Sequence, residues 1–134
     1  MSDKFCYWSV ADGDHASMIE TTIKSARVVG VTEDFHVWSH REVLGAITHD
    51  CGLFDHHHYM FKFKFLKNEV SKLDFDYFVW LDADNYFVRH PGDFNRLLHN
   101  NKVFIQMESD CTSKFVNRGD WWGCPIRWYP LLMR

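Results

Sequence analysis

The sequence predicts an α/β domain built on a largely parallel sheet. Short, aromatic-rich apolar runs alternate with segments of helical spacing. One run, Tyr77-Phe78-Val79-Trp80-Leu81, is continuously apolar, the pattern of a strand covered on both faces. The chain has 134 residues, 46% hydrophobic and 25% charged, with no repeat, linker or low-complexity tract, so residues 1–134 read as a single domain.

The elements follow in order. Phe5-Cys6-Tyr7-Trp8-Ser9-Val10 is rich in strand formers and reads as a first strand. Ala11-Asp12-Gly13-Asp14 has turn chemistry. A helix follows, capped by Asp14 or Ser17, with Ser17 and Glu20 at capping-box spacing. Ala16, Ile19, Ile23 and Ala26 recur at 3, 4 and 3 and give its buried stripe, and Gly30 closes it. Residues 35–39 read as a second strand, and residues 50–58 are polar and turn-like. Residues 59–73 carry two periods. Phe61, Phe63 and Phe65 alternate with lysines as in a strand, whereas Tyr59, Phe63, Leu66, Val70 and Leu73 recur as in a helix. The helical pattern is longer and spans Lys67-Asn68-Glu69, so this segment reads as a helix. The apolar strand of residues 75–81 comes next. Tyr86-Phe87-Val88 reads as a short strand, and Pro91-Gly92-Asp93 opens a helix over residues 94–99. Residues 102–107 form another strand, and residues 108–134 are irregular and aromatic, with a helix starting near Tyr129.

Composition excludes several classes. A net charge of -3 and the lack of a basic stripe argue against a nucleic-acid partner. No apolar stretch approaches the roughly 18 residues that would span a membrane. Met1-Ser2-Asp3-Lys4 leads straight into a strand, so no secretory signal is expected. Cys6, Cys51, Cys111 and Cys124 are far apart and form no C-x-x-C, which argues against a structural zinc site. At this size they also argue against a disulfide framework, and a reducing, cytoplasmic compartment is expected. An aromatic content of 17% favours a β-containing core with wide apolar pockets.

The feature with the most chemistry is Asp82-Ala83-Asp84 at the end of the apolar strand. Carboxylates left desolvated and unpaired cost several kcal/mol, so a cation should meet them. In an extended chain residues i and i+2 point to one side, so Asp82 and Asp84 converge on one hard divalent ion, Mn²⁺ or Mg²⁺. Ligands of open α/β sheets gather at the carboxyl ends of strands, where this pair lies. Two other D-x-D triplets are plainer: Asp12-Gly13-Asp14 is turn and cap, and Asp74-Phe75-Asp76 separates helix from strand. His56-His57-His58 cannot all face one ion, because successive side chains diverge.

The run Tyr77-Phe78-Val79-Trp80-Leu81-Asp82-Ala83-Asp84-Asn85-Tyr86-Phe87-Val88 resembles the hydrophobic strand, L-D-x-D, hydrophobic signature of glycosyltransferases with the GT-A fold. It is most similar to the glycogenin and lipopolysaccharide galactosyltransferase type. The opening strand, the Ala11-Asp12 turn, the helix bearing Ser25, the Tyr59 to Lys64 stretch and Pro91-Gly92-Asp93-Phe94 fall in the matching order. The resemblance covers roughly residues 4–108 in layout, and about fifteen residues around Asp82 are specific. It implies a Rossmann-like, mostly parallel sheet flanked by helices, with the acids at the end of a central strand. It also implies a metal-dependent glycosyltransferase that takes a nucleotide diphosphate sugar as donor and a carbohydrate or protein hydroxyl as acceptor.

By that resemblance Asp84 is the main ligand of Mn²⁺ or Mg²⁺, and Asp82 shares the metal or binds the ribose. Ala11 and Asp12 lie near the base, and Lys62, or Lys64, supports the phosphates or the acidic motif. Trp121 and Trp122, beside Arg118 and Asp120, form an acceptor-side sugar platform. The chain departs from the family in length. About 50 residues follow Asp84, and no histidine follows His99. The resemblance is therefore to a short or C-terminally truncated member, and it assigns neither a third metal ligand nor a catalytic residue. Two alternatives stand beside it. One is a nucleotide-sugar-binding domain without catalysis. The other is a haloacid-dehalogenase-like phosphohydrolase, whose apolar strand also ends in D-x-D with a nucleophilic first Asp. Against the latter, Tyr86 stands where that family has Thr or Val, and about 80 residues precede the motif.

Overall fold

In the computed structural model, which describes residues 4–52 and 61–92, four strands form one sheet. They are β1 (Phe5–Val10), β2 (Phe35–Trp38), β3 (Ile47–His49) and β4 (Tyr77–Trp80). Their order is β3-β2-β1-β4, and every neighbouring pair is parallel. The helices are α1 (Asp14–Val28) and α2 (Phe61–Asn68), the latter followed by a 3₁₀ turn, Val70–Lys72. The α/β class and the parallel sheet are as the sequence predicts. No described helix is long and apolar enough to cross a membrane.

β1 is buried from Cys6 to Val10, and β2 along its whole length. The alternation of β1 divides the core in two. Tyr7 and Ala11 face one side, with Phe35 and Val37 of β2. Trp8 and Val10 face the other, with Trp38, Cys51 and Val70. β4 differs from the expected fully covered strand: all four of its residues are only partly buried, and β1 is its single partner among the described residues.

α1 covers the first face. Ala16, Ile19, Ile23 and Ala26, the stripe read from the sequence, are all buried. Ile19 and Ile23 each contribute roughly 2 kcal/mol through burial. The capping box does not form. Gly13 is the N-cap, at φ 57° where an L side chain is strained, and no side chain caps the helix. Ser17 and Glu20 turn instead to Arg41 in the loop after β2. Arg41 Nη1 donates to Glu20 Oε1 at 2.7 Å and Nη2 to Ser17 Oγ at 3.0 Å. The Leu44 N–H adds a third bond to the same Glu20 oxygen at 3.2 Å. A tertiary guanidinium thus takes the polar atoms that the local motif would have used.

β3 is the element the sequence did not announce. It is three residues long, Ile47 is exposed, and the connection from β2 (residues 39–46) contains no helix. That loop is anchored by Val43, 1% exposed, and by Gly45. Gly45 has φ 85°, and a Cβ there would stand 2.9 Å from Ile23 Cγ2 of α1, so both conformation and contact require glycine.

α2 covers the second face. Over the described part of residues 59–73 the chain forms α2 and the 3₁₀ turn, with Leu66, Val70 and Leu73 of the helical stripe, and Phe65, packed in the cluster of Trp8 and Trp38. Trp8 meets Trp38 and Trp80 edge-on, with centroids 6.3 and 4.6 Å apart.

Residues 86–88 are not a strand. After β4 the chain runs across α1, and three buried hydroxyls take up its backbone. Ser9 Oγ donates to the Leu81 carbonyl at 2.7 Å. Thr22 Oγ1 lies 3.0 Å from the Ala83 carbonyl and also contacts that of Asn85. Ser25 Oγ accepts the Phe87 N–H at 2.9 Å. Side-chain partners therefore replace a sheet ladder, and only Phe87 turns inward, edge-on to Tyr7 at 5.7 Å. Tyr86 and Val88 stay exposed. The helix expected at 94–99, the strand at 102–107 and the aromatic segment 108–134 lie outside the described residues.

Thr22→Val should destabilise the fold by about 1–3 kcal/mol, because the one hydroxyl shared by the Ala83 and Asn85 carbonyls is lost, whereas Thr22→Ser should recover most of the loss. Urea unfolding of the three proteins measures this.

His36 and His49 form a stacked pair on the neighbouring strands β2 and β3. His36 Nδ1 lies 2.9 Å from His49 Nε2, the rings stack at 5.2 Å, and Phe75 closes the site edge-on. Burial, then the neighbouring His49, lowers the His36 pKa, with Asp34 opposing. Folded His36 therefore holds fewer protons than the unfolded chain, whose histidines titrate near about 6.5. Its contribution is complete above that value and is lost as pH falls through it toward the lower folded value. The urea midpoint should drop from about pH 7.5 to about pH 5, less steeply in His36→Gln than in the parent. Equal slopes would remove His36 from the account.

Candidate functional site

All four strands run the same way, so their carboxyl ends share one edge. Two residues past each strand end stands a side chain able to bind a cation: Asp12 after β1, His40 after β2, Cys51 after β3 and Asp82 after β4. The first three belong to one row, because Val10 pairs with Trp38 and Trp38 with His49. Their ligand atoms lie within 4.8 Å of one another. The Asp12 carboxylate accepts the His40 backbone N–H at 3.2 Å, and its other oxygen is 3.8 Å from His40 Nε2. His40 Nδ1 is 3.6 Å from Asp50 Oδ1.

The electrostatics of this group are uneven. Burial works against ionisation of Asp12. Hydrogen bonds from the backbone of His40 and Gly13, the His40 charge and the Ser39 hydroxyl outweigh it and hold the carboxyl below its usual value. Cys51 is 5% exposed, and burial foremost, then Asp12, pushes its thiol up to about 11. Without a cation it is therefore a neutral thiol at pH 7 and a poor nucleophile. Cys6, at the opposite end of β1, is driven up to about 12 by burial and then Asp34.

The acid pair lies on the other side of β1. Asp82 to Asn85 form a tight turn closed by the Asn85 N–H on the Asp82 carbonyl at 3.2 Å. β4 has ended at Trp80, so strand alternation does not govern where Asp82 and Asp84 point. Asp82 is partly buried and Asp84 exposed. Asp82 Oδ1 accepts the Trp80 indole N–H at 2.9 Å, and Lys62 Nζ sits 4.9 Å from the centroid of the same indole. Lys62 thus reaches the acid motif through Trp80. Asp82 Oδ2 and the Asp84 carboxylate have no hydrogen bond or ion pair among the described residues, and an all-oxygen donor set suits a hard cation.

Of the other residues singled out in the sequence, Ala11 is 1% exposed and sits in the α1-side core, its N–H on the Trp38 carbonyl at 3.0 Å. At that burial, with its N–H already paired, it presents almost no surface to a ligand. Ser25 braces Phe87 rather than facing the edge. Trp121, Trp122, Arg118, Asp120 and His56-His57-His58 lie outside the described residues. The sequence reading missed His40, Cys51 and Trp80. Trp80 lies two residues before Asp82, but Asp82 is past the end of β4, so strand spacing alone did not pair them. His40 and Cys51 needed β3 and its register first.

No protein-family model matches this chain, and no curated protein or solved structure matches it.

Trp80→Phe keeps most of the packing on Trp8 and removes the donor to Asp82. If the acid pair holds Mn²⁺, the substitution should weaken that binding by roughly tenfold, as loss of a ligand's orienting partner does. Titration calorimetry of the two proteins with Mn²⁺ decides this; equal affinity would make the indole bond incidental.

Proposed function

We propose that this domain binds a nucleotide diphosphate sugar across the carboxyl ends of β1 and β4, with Mn²⁺ or Mg²⁺ held by Asp82 and Asp84, and transfers the sugar to a hydroxyl acceptor. One observation supports this reading above the others. The chain leaves β1 for β2 and β3 on one side and places β4 on the other, so the gap between β1 and β4 is the switch point of the sheet. In open α/β sheets that crevice is where ligands bind. Asp12 stands on its β1 side and Asp82 and Asp84 on its β4 side.

The chemistry suits these residues. The bound cation would act as a Lewis acid on the diphosphate leaving group. Trp80 fixes the rotamer of Asp82, and the Lys62 ammonium places positive charge beside the motif. The start of α1 is already complemented by Asp14 in its first turn, so it offers the diphosphate little. The phosphate charge then falls to the cation, with Lys62 adding positive charge across the Trp80 ring. Asp12, its side chain 36% exposed, is available to the ribose or base.

Asp84→Ala should abolish Mn²⁺-dependent binding of UDP- or GDP-sugars in calorimetry, and unchanged affinity would refute the site. Slow release of free sugar from the bound donor by the parent protein supports transfer. Metal-dependent binding with no release would identify a nucleotide-sugar-binding domain instead.

A further inference from the structure

We propose a second, chemically different metal site on the β1-β2-β3 side of the same edge: Asp12, His40 and Cys51 bind a borderline divalent ion of the Zn²⁺ class. Three strands deliver the ligands, each from the second position past its last residue. Parallel register makes those positions neighbours, and their ligand atoms already lie within 4.8 Å of one another. Tetrahedral zinc, with bonds of about 2.0–2.3 Å, needs ligand atoms about 3.3–3.6 Å apart. The Asp12–His40 separation of 3.8 Å is close to that before any ion draws the groups in.

The donor set selects the metal. Sulfur and imidazole nitrogen favour Zn²⁺, Co²⁺ and similar ions over Mg²⁺, whereas Asp82 and Asp84 offer oxygen alone. Asp50 provides the orienting partner that metal-binding histidines usually have: its carboxylate faces Nδ1 at 3.6 Å while Nε2 faces Asp12. Burial is graded across the site. Cys51 is enclosed by Trp8, Val10 and Trp38, whereas the side chains of Asp12 and His40 are 36% and 50% exposed. The sulfur is held in an apolar wall, and the fourth coordination position opens to solvent, as in zinc sites that keep a water or bind a substrate anion. On binding, the metal–sulfur bond forms as the thiol proton leaves to solvent.

Cobalt reports the site directly. The full chain, reduced and stripped with a chelator, is titrated with Co²⁺. A thiolate-to-cobalt charge-transfer band in the near ultraviolet should appear with intense visible bands of a four-coordinate ion, and Zn²⁺ should bleach both. Cys51→Ala should abolish the charge-transfer band, and His40→Ala should lower Co²⁺ affinity more than tenfold, both with an unchanged circular dichroism spectrum. Asp50→Asn should weaken binding roughly tenfold. Asp84→Ala should leave the cobalt spectrum intact, which tests this site apart from the cation of the donor-sugar site; Asp12 alone is common to both. Absence of the charge-transfer band in the parent protein overturns the proposal, as does a band that survives Cys51→Ala.

Discussion

β1 pairs along both of its edges, with β2 through Tyr7 to Val10 and with β4 through Phe5 to Trp8. Because both pairings are parallel, the strand fixes the direction of its neighbours as well as their depth. Its alternating side chains divide the interior into an α1 side and an α2 side. A one-residue slip of β1 would send Trp8 and Tyr7 to each other's faces and empty both cores. The same register sets what happens beyond the strand ends. The polar residues of the edge meet because the apolar residues beneath them are locked in place.

Holding a polar edge over an apolar core requires partners for the backbone that leaves it. After β4 the chain does not enter a further ladder among the described residues, and Ser9, Thr22 and Ser25 supply the hydrogen bonds. These hydroxyls are small enough to sit at 1–3% exposure inside α1 and β1 without opening a cavity. They tie the turn that carries Asp82 and Asp84 to β1 and to the buried face of α1. Arg41 does a comparable job opposite, linking the loop that carries His40 to Glu20 and Ser17 of α1. Both sides of the edge are therefore supported from α1.

The two polar groups along this edge differ in kind. On the β4 side stand carboxylate oxygens, one of them held by the Trp80 indole, whose ring lies beside Lys62. On the β2–β3 side the atoms are oxygen, nitrogen and sulfur, with the sulfur in an apolar wall. Asp12 lies between them at the end of the central strand. Hard and borderline cations would partition between such sites by ligand type and geometry rather than by affinity alone.

Local pattern was enough for much of this molecule. The apolar run of β1, the 3-4-3 stripe of α1, the second strand, the helical period before β4 and the acids after it could all be read, because periodicity and turn chemistry belong to short segments. Where a distant residue competes, local pattern failed. The Ser17–Glu20 box lost its atoms to Arg41, and Phe87 took a hydroxyl and an aromatic pocket instead of a strand partner. β3 was invisible because three residues with an exposed isoleucine carry too little pattern. The sequence alone therefore determined the α/β class and placed Asp12, Asp82 and Asp84 at strand ends. Only the tertiary structure decided that Trp80 and Lys62 stand behind Asp82 and that His40 and Cys51 meet Asp12, because those meetings depend on pairing register between segments far apart in the chain.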